Sequence, residues 1–257
     1  MGRVQTMGKS TTGDKYVALG GFYTLKYENG RSFPCRNILE IIIKNAKNSS
    51  QYSSEELLSI PLDAVFIMMN PGGGKPKNQV KSNPIVNADT IDDLNKIELV
   101  ETVPDITQNQ VMKIMDAKKW NRVKVINLSD YREPKSFDFY NMIKEAKFID
   151  ETHVHSIFSE KRRQELTNVF RSERDIPVVV AWGVNTKLKP LIELSLDNNF
   201  IINRVGYPKE VNVRRNNLYY YHPLPWGNCA KKRWVRETIK NLDNFYRRPN
   251  NYRRIHK

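Results

Sequence analysis

Four polar or glycine-bearing segments each follow a short apolar run in this sequence, and their residue types could do chemistry. Asn70-Pro71-Gly72 follows AVFIMM, Asn127 ends VKVINL, Trp182-Gly183 ends PVVVAW, and His222-Pro223 ends NLYYYHP. An amide side chain offers both a hydrogen-bond donor and an acceptor, and a neutral imidazole can donate a hydrogen bond where charge develops. Glycines expose backbone N–H groups and let a ligand approach the main chain closely.

These segments need a fold that brings them together, and the pattern of the chain predicts one. The apolar runs read as buried strands, and amphipathic stretches such as residues 106–120 and 186–199 separate them. This alternation predicts an α/β fold with a mainly parallel sheet and helices on both faces. Because ligands bind beyond the carboxyl ends of the strands in such sheets, we expect the four segments to converge on one rim.

The N-terminal part has a different pattern. FYTLKYENGRSF predicts a β-hairpin with its turn at Asn29-Gly30, and RNILEIIIKNA, residues 36–46, has helical spacing. Residues 75–104 are polar and turn-rich, which predicts a long loop beside the site. We expect three parts, which are an N-terminal extension packed on the core (residues 1–60), an α/β domain (61–246) and a basic tail (247–257).

The charge of the chain points to a polyanion. Forty-two Lys and Arg against 28 Asp and Glu give a net charge of +14, and ten of the basic residues but only two acids lie from Lys231 onward. Aromatic residues are interleaved in KKRWVRETIK and RRPNNYRRIHK, which suits phosphate contacts with stacking beside them. The ordinary alternative is a solvated basic helix and a frayed tail.

Composition also narrows the class of protein. A mean hydropathy of −0.61 and the lack of a long apolar run exclude a membrane span. Two cysteines are too few for a disulfide framework and fit a reducing, cytoplasmic setting, and Cys229 is expected to be buried rather than nucleophilic. No cysteine or carboxylate cluster joins His153 and His155 as metal ligands, so we expect no metal and no cofactor. A monomer with DNA as its partner is the expectation.

In order and spacing, MNPGGG, VINLSDYREP, VVVAWGVNTK and YHPLPWGN resemble the motifs of the uracil-DNA glycosylase superfamily. The Asn-Pro-Gly is similar to the mismatch-specific and single-strand-selective branches, whereas the main uracil branch has an Asp before that Pro. The His-Pro-x-Pro is similar to the main and single-strand-selective branches. The resemblance covers roughly residues 60–245 and implies a three-layer α/β sandwich around a mainly parallel four-stranded sheet, with the hairpin and helix as an extension.

This resemblance implies a monofunctional glycosylase, which hydrolyses the N-glycosidic bond of a base flipped out of DNA and leaves an abasic site. Asn70 would orient the attacking water, and His222 would donate a hydrogen bond to the oxygen of the departing base. Asn127 would read the Watson–Crick edge of a pyrimidine. Each has an ordinary alternative, because an Asn before Pro is common in turns, a strand-end Asn often caps a turn, and a lone His is usually structural.

The glycine turn has a further implication for the substrate. Pro71, Gly72, Gly73 and Gly74 occupy the neighbourhood where the main uracil branch has a Tyr that blocks substituents at C5 of the base. The resemblance therefore implies a base pocket that is open at C5 and admits mismatched thymine or a larger modified pyrimidine. Hypermodified phage cytosines carry bulky C5 groups, so a role in phage defence is one hypothesis.

The remaining site residues are predicted DNA contacts. Trp226 is in the position of the apolar wedge that fills the gap left by the flipped base, and Leu224 stands where the family often has a phosphate-binding Ser. For Trp226 the alternative is a core residue under the following helix, which is where we expect Trp182. The predicted backbone contacts are Lys75, Lys77, Lys231, Lys232 and Arg233. The alternative functions are a catalytically inactive nucleic-acid-binding module on the same scaffold, or an enzyme acting on free nucleosides or RNA.

Overall fold

The computed structural model describes residues 15–44, 54–78, 83–91, 94–149, 152–171, 175–201, 204–210 and 217–247. In these ranges eight strands form one mixed sheet, and six α-helices accompany it. The strands are β1 Tyr16–Lys26, β2 Ser32–Ile43, β3 Ala64–Met68, β4 Ile85–Asn87, β5 Leu99–Glu101, β6 Arg122–Asn127, β7 Val178–Ala181 and β8 Arg204–Gly206. The helices are α1 Ser54–Ser59, α2 Ile106–Lys118, α3 Ser136–Ile149, α4 Arg163–Phe170, α5 Lys189–Leu196 and α6 Asn228–Arg247.

The sheet has the order β4-β1-β2-β6-β3-β7-β8. Strand β5 also pairs with β1, at Leu19–Gly21, whereas β4 pairs with it at Thr24–Lys26. Strands β6, β3, β7 and β8 are parallel neighbours, and β2 joins them antiparallel to β6. The prediction of an α/β fold with a mainly parallel core is confirmed. Because β3, β6 and β7 run in the same direction, the residues that follow them emerge at the same edge of the sheet.

Helices cover both faces of this sheet, which explains why β3 and β7 consist of buried apolar residues rather than alternating ones. On one face, Val111 and Met115 of α2 and Trp234 of α6 pack against Phe66 and Val125. The other face holds a larger apolar cluster that includes residues of α3, α4 and α5. Two separate cores therefore hold the sheet from both sides.

The predicted fourth strand was placed in the wrong segment. Residues 217–223 form only isolated bridges, from Tyr220 to Gly183 and to Pro208, and the fourth parallel strand is β8. β8 has only three residues, Arg204–Gly206, too few for a clear apolar run. Residues 217–223 nevertheless lie beside the end of β7, because the backbone N–H of Gly183 donates a hydrogen bond to the carbonyl oxygen of Tyr220 at 2.8 Å.

The N-terminal hairpin is confirmed, and its register runs from Tyr16 opposite Ile43 to Lys26 opposite Ser32. The helical reading of residues 36–46 was wrong, since β2 continues to Ile43. This strand is buried on both faces from Cys35 to Ile42, so its apolar residues do not alternate and their spacing imitates a helix. The hairpin is continuous with the sheet that carries the site, because β2 pairs with β6.

Residues 75–104 are not wholly a loop, since β4 and β5 lie within them and both pair with β1. Most of the predicted basic tail lies outside the described residues. In the part of the chain that the structure covers, no helix combines the length and apolar character needed to cross a membrane.

Candidate active site

A cavity of about 710 Å³ opens beyond the carboxyl ends of β3 and β7, beside the first turn of α2. Its size is within the range of roughly 300–1,000 Å³ that is usual for small-molecule pockets. Of the predicted catalytic, base-binding and wedge residues, it brings together Asn70, Pro71, Gly72, Gly73, His222 and Trp226. Its wall also includes residues that the sequence did not single out, which are Arg36, Asp105, Ile106, Gln108, Tyr140, Asn185 and Tyr221.

The Asn70 amide has a fixed orientation. It is 9% exposed, and its Nδ2 donates to the carbonyl oxygens of Tyr131 at 3.2 Å and of Glu133 at 2.7 Å. Because both amide hydrogens are held by acceptors, Oδ1 is left as the group that can accept a hydrogen bond in the cavity. The loop after β6 thus presents Asn70 as an acceptor, which can hold a water molecule.

The His222 imidazole has one defined tautomer. The backbone N–H of Leu224 donates to Nδ1 at 3.2 Å, so the neutral ring carries its proton on Nε2. Protein atoms enclose this half-buried ring, and the resulting desolvation lowers its pKa to about 4. At neutral pH His222 is therefore a neutral hydrogen-bond donor in the cavity wall.

The glycine turn that follows β3 depends on two of its glycines. Gly72 has φ of 61°, in the left-handed region that residues with a side chain rarely adopt, and Gly74 N donates to Pro71 O at 3.4 Å to close the turn. At Gly74 a Cβ atom would lie 2.8 Å from Nη1 of Arg36. The turn requires residues without side chains, because its backbone is left-handed at Gly72 and lies against the guanidinium group of Arg36 at Gly74.

Asn127 does not line the cavity. It is fully buried at the end of β6, and neither its Oδ1 nor its Nδ2 has a hydrogen-bond partner among the residues that the structure describes. Its register partner on β3 is Met68, which does line the cavity. Buried amides are normally paired, so the unsatisfied Asn127 lies behind the cavity floor in an arrangement that costs stability.

Two arginines stand behind the glycine turn, and the sequence did not predict either. Arg36 comes from β2 and lines the cavity, while Arg132 Nε donates to Gly74 O at 2.6 Å. Burial lowers the pKa of Arg36 to about 10, and Asp105 opposes that shift, so the guanidinium stays charged at neutral pH. The available signal was an arginine just before the largely apolar run of residues 38–43, because charged residues are almost never fully buried unless paired.

The mouth of the cavity carries exposed apolar side chains. Trp226 is fully exposed at 101%, and Ile106 at the start of α2 is 57% exposed. The alternative that Trp226 is a core residue is wrong, since Trp234 fills that role and donates Nε1 to Tyr221 O at 2.7 Å. The expected core position of Trp182 is confirmed, because it is fully buried and donates to Leu218 O.

Basic residues lie close in sequence to two of the segments that line this cavity. Lys232 and Arg233, in the first turns of α6, are exposed, Lys231 is partly exposed, and none of the three has an ion-pair partner among the described residues. Lys75 is exposed next to the glycine turn, whereas Lys77 is paired with Glu101 at 2.8 Å. Lys77 is thus less available for a phosphate contact than the other four.

Two further sequence expectations concern thiols and histidines. Cys229 was expected to be buried, but it is exposed in the first turn of α6, because that turn faces solvent on the side of Trp226. His155 is buried, its Nδ1 lies 3.0 Å from Ser129 Oγ, and its ring stacks on Tyr131. Within the described ranges, no group of three or more His, Cys, Asp or Glu side chains could hold a metal ion.

Comparisons with known proteins add no relative. No protein-family model matches the sequence, no curated protein matches it, and no solved structure matches the fold. The resemblance to the uracil-DNA glycosylase superfamily therefore depends on the sequence motifs alone.

Proposed function

We propose that this protein is a monofunctional DNA glycosylase, which hydrolyses the N-glycosidic bond of a flipped, C5-modified or mismatched pyrimidine. The observation that supports this most is the pairing of a fixed acceptor with a fixed neutral donor in one cavity. Asn70 offers Oδ1 because its Nδ2 is held by two carbonyls, and His222 offers Nε2–H because its Nδ1 accepts from Leu224. Hydrolysis of this bond needs an acceptor that holds the attacking water and a donor that stabilises the departing base.

In the proposed reaction the C1′–N1 bond breaks, and its electron pair leaves with the base. His222 Nε2–H donates a hydrogen bond to the base oxygen that gains negative charge, which stabilises the departing anion. Asn70 Oδ1 accepts a hydrogen bond from a water molecule, and the water oxygen attacks the oxocarbenium-like C1′ from the opposite side. The proton that this water loses reaches the departed base anion through solvent, so the products are the neutral base and an abasic sugar. Because an amide is a poor general base, a modest turnover is expected.

The surroundings of the cavity support a nucleic acid as the substrate. A fully exposed Trp226 at the mouth can stack in the space left by an extruded base, and Lys232 and Arg233 lie a few residues further along the chain. Between Pro71 and Lys75 the glycine turn itself contributes no side chain to the cavity wall. Under this proposal the absence of a blocking side chain there admits substituents at C5.

A cleavage assay tests the proposal. Labelled oligonucleotides carrying uracil, thymine mismatches, 5-hydroxymethylcytosine or glycosylated cytosine are incubated with the protein and then treated with alkali, which breaks the strand at abasic sites. Wild type should break the strand at one modified base, Asn70→Ala should not, and Asn199→Ala, which removes an exposed amide, should behave as wild type.

The same assay decides between the proposal and a binding module. Asn127 behind the cavity floor is the observation that favours a module without base excision, because a base could not reach this amide as it now lies. No breaks on any substrate, with tight and salt-dependent DNA binding retained, would refute the glycosylase and favour that module.

A further inference from the structure

Arg36 is a buried cation for which the described part of the chain provides no ion pair. It is 3% exposed, it lines the cavity, and neither Nε nor Nη1 has a hydrogen-bond partner. Burying a charge without a partner costs free energy, so an arginine kept in this state requires a compensating interaction. The nearby carboxylate of Asp105 acts on it electrostatically without forming an ion pair.

A second unpaired donor belongs to the same polar cluster. Gln108 is 3% exposed and lines the cavity, and its Oε1 accepts from Thr102 Oγ1 at 3.4 Å while its Nε2 is buried without a partner. Thr102 lies near both residues. Its Oγ1 donates to Gln108, and its Cγ2 and the Cδ of Arg36 lie 3.0 and 3.1 Å from the position that a Cβ of Gly20 would take. Arg36 and Gln108 therefore leave at least three buried donor atoms without an acceptor.

The acceptors already present nearby do not satisfy these donors. Asp105 caps α2 and accepts from the backbone N–H of Gln108 at 2.8 Å. Arg132 is a second cation on the same side of the turn and donates to Gly74 O. A ligand complementary to this wall must therefore present acceptor oxygens rather than further donors or a plain alkyl group.

The position of Arg36 indicates which part of a ligand it would meet. Its Nη1 lies directly behind the glycine turn, 2.8 Å from where a Cβ of Gly74 would be. Under the proposed function, on which this inference rests for the identity of the ligand, that turn borders C5 of the extruded pyrimidine. We propose that Arg36 and Gln108 form a specificity subsite that binds acceptor oxygens on a substituent at C5 of the base.

Equilibrium binding tests the subsite without requiring cleavage. Oligonucleotides carry a 2′-fluoro nucleotide at the target position, because fluorine disfavours the oxocarbenium-like sugar and preserves the bond. The target pyrimidine bears 5-hydroxymethyl, 5-carboxyl or 5-ethyl, of which hydroxymethyl and ethyl have the same number of heavy atoms. Wild type should bind at least one oxygen-bearing base roughly 10-fold to 100-fold more tightly than 5-ethyl, the range for hydrogen bonds to a charged donor. Equal binding of all three, or no binding of any, overturns the subsite.

Variants separate ligand binding from a structural role. Arg36→Met should reduce the preference to less than about 3-fold without lowering Tm, because it removes an unpaired buried charge and keeps an unbranched side chain. Gln108→Leu should reduce the preference independently of Arg36. A preference that persists in both variants overturns the proposal, as does a fall in Tm of Arg36→Met with the preference unchanged.

The outcomes for the two proposals can be told apart. Cleavage of a modified base together with equal binding of 5-hydroxymethyl and 5-ethyl would refute only the subsite. Selective, Arg36-dependent binding of an oxygen-bearing base with no cleavage of any oligonucleotide would refute only the glycosylase.

Discussion

Replacing Asn70 with aspartate gives the most direct test of how the site is built. The main uracil branch has an Asp at the matching position, so acid–base chemistry alone predicts that Asn70→Asp gains activity. The geometry predicts the opposite, because both hydrogens of Asn70 Nδ2 point at carbonyl oxygens, those of Tyr131 and Glu133. A carboxylate would place an oxygen where these two acceptors need a donor.

These two contacts determine how much Asn70→Asp lowers the free energy of unfolding. An ionised carboxylate donates neither hydrogen bond, and a buried carbonyl left unpaired costs about 1–3 kcal/mol. We expect Asn70→Asp to lower the free energy of unfolding by about 2–5 kcal/mol, which for a chain of this size lowers Tm by roughly 5–15 °C. Asn70→Ala loses the same two bonds but introduces no charge.

The deficit of Asn70→Asp should also depend on pH. Burial and two facing carbonyls raise the pKa of the introduced carboxyl above its unfolded value of about 3.9, since only the protonated form can donate. A group with a raised folded pKa favours folding below its unfolded pKa and loses that contribution as pH rises through its folded pKa. For a shift of about two units, the deficit is about 1.4 kcal/mol larger at pH 8 than at pH 5.

Thermal denaturation of wild type, Asn70→Asp and Asn70→Ala at pH 5 and pH 8 measures this, and the cleavage assay is run in parallel. The deficit of Asn70→Asp should grow with pH, that of Asn70→Ala should not, and neither variant should cleave faster than wild type. An Asn70→Asp protein with the wild-type Tm and faster cleavage would show that these carbonyls do not hold the amide.

Four further outcomes are expected. His222→Phe should lower the cleavage rate roughly 100-fold to 1,000-fold. The wild-type cleavage rate should show no titration of His222 between pH 6 and 8, since the pKa of His222 is about 4. A loss of wild-type activity centred near pH 6.5 that is absent from His222→Phe would contradict this. Trp226→Ala should weaken DNA binding by about 1–3 kcal/mol in a titration with an unchanged Tm, because the side chain is fully exposed; a lower Tm would show a structural role. Asn127→Leu should leave both the fold and cleavage unchanged, because the amide that it removes is buried, lacks a partner among the described residues and does not line the cavity; loss of cleavage with an unchanged Tm would show that Asn127 reads the base. Asp130 lies fully buried after β6 and pairs with Arg162 at 2.8 Å, yet burial outweighs this pairing and raises its pKa to about 6. Its contribution to stability should therefore fall by on the order of 2–3 kcal/mol as pH rises from 4 to 7. Asp130→Asn should lose that slope in denaturant titrations.

The sequence by itself determined the class of fold and several of the residues that line the cavity. Three apolar runs that are too short for helices and too continuous for half-exposed strands had to be buried parallel strands, and their carboxyl ends had to share an edge. Asn70 and Gly183 were therefore predictable at one rim, and both line the cavity. His222 lines it too, but the bridge from Tyr220 to Gly183 places it there rather than a strand end. The hairpin was predictable from Asn29-Gly30, because local turn chemistry sets its register.

Tertiary structure alone decided which residues complete the site. Arg36 reaches the cavity because β2 pairs with β6. The paired residues are 80 to 86 positions apart in the sequence, so no local pattern predicts this contact. The same pairing buries both faces of β2 and removes the alternation that would have distinguished a strand from a helix. The orientation of the Asn70 amide and the tautomer of His222 depend on single backbone groups, those of Tyr131, Glu133 and Leu224. Hydrogen bonds of this kind are fixed by the path of the folded chain and leave no periodic signal in the sequence, so only the folded structure gives them.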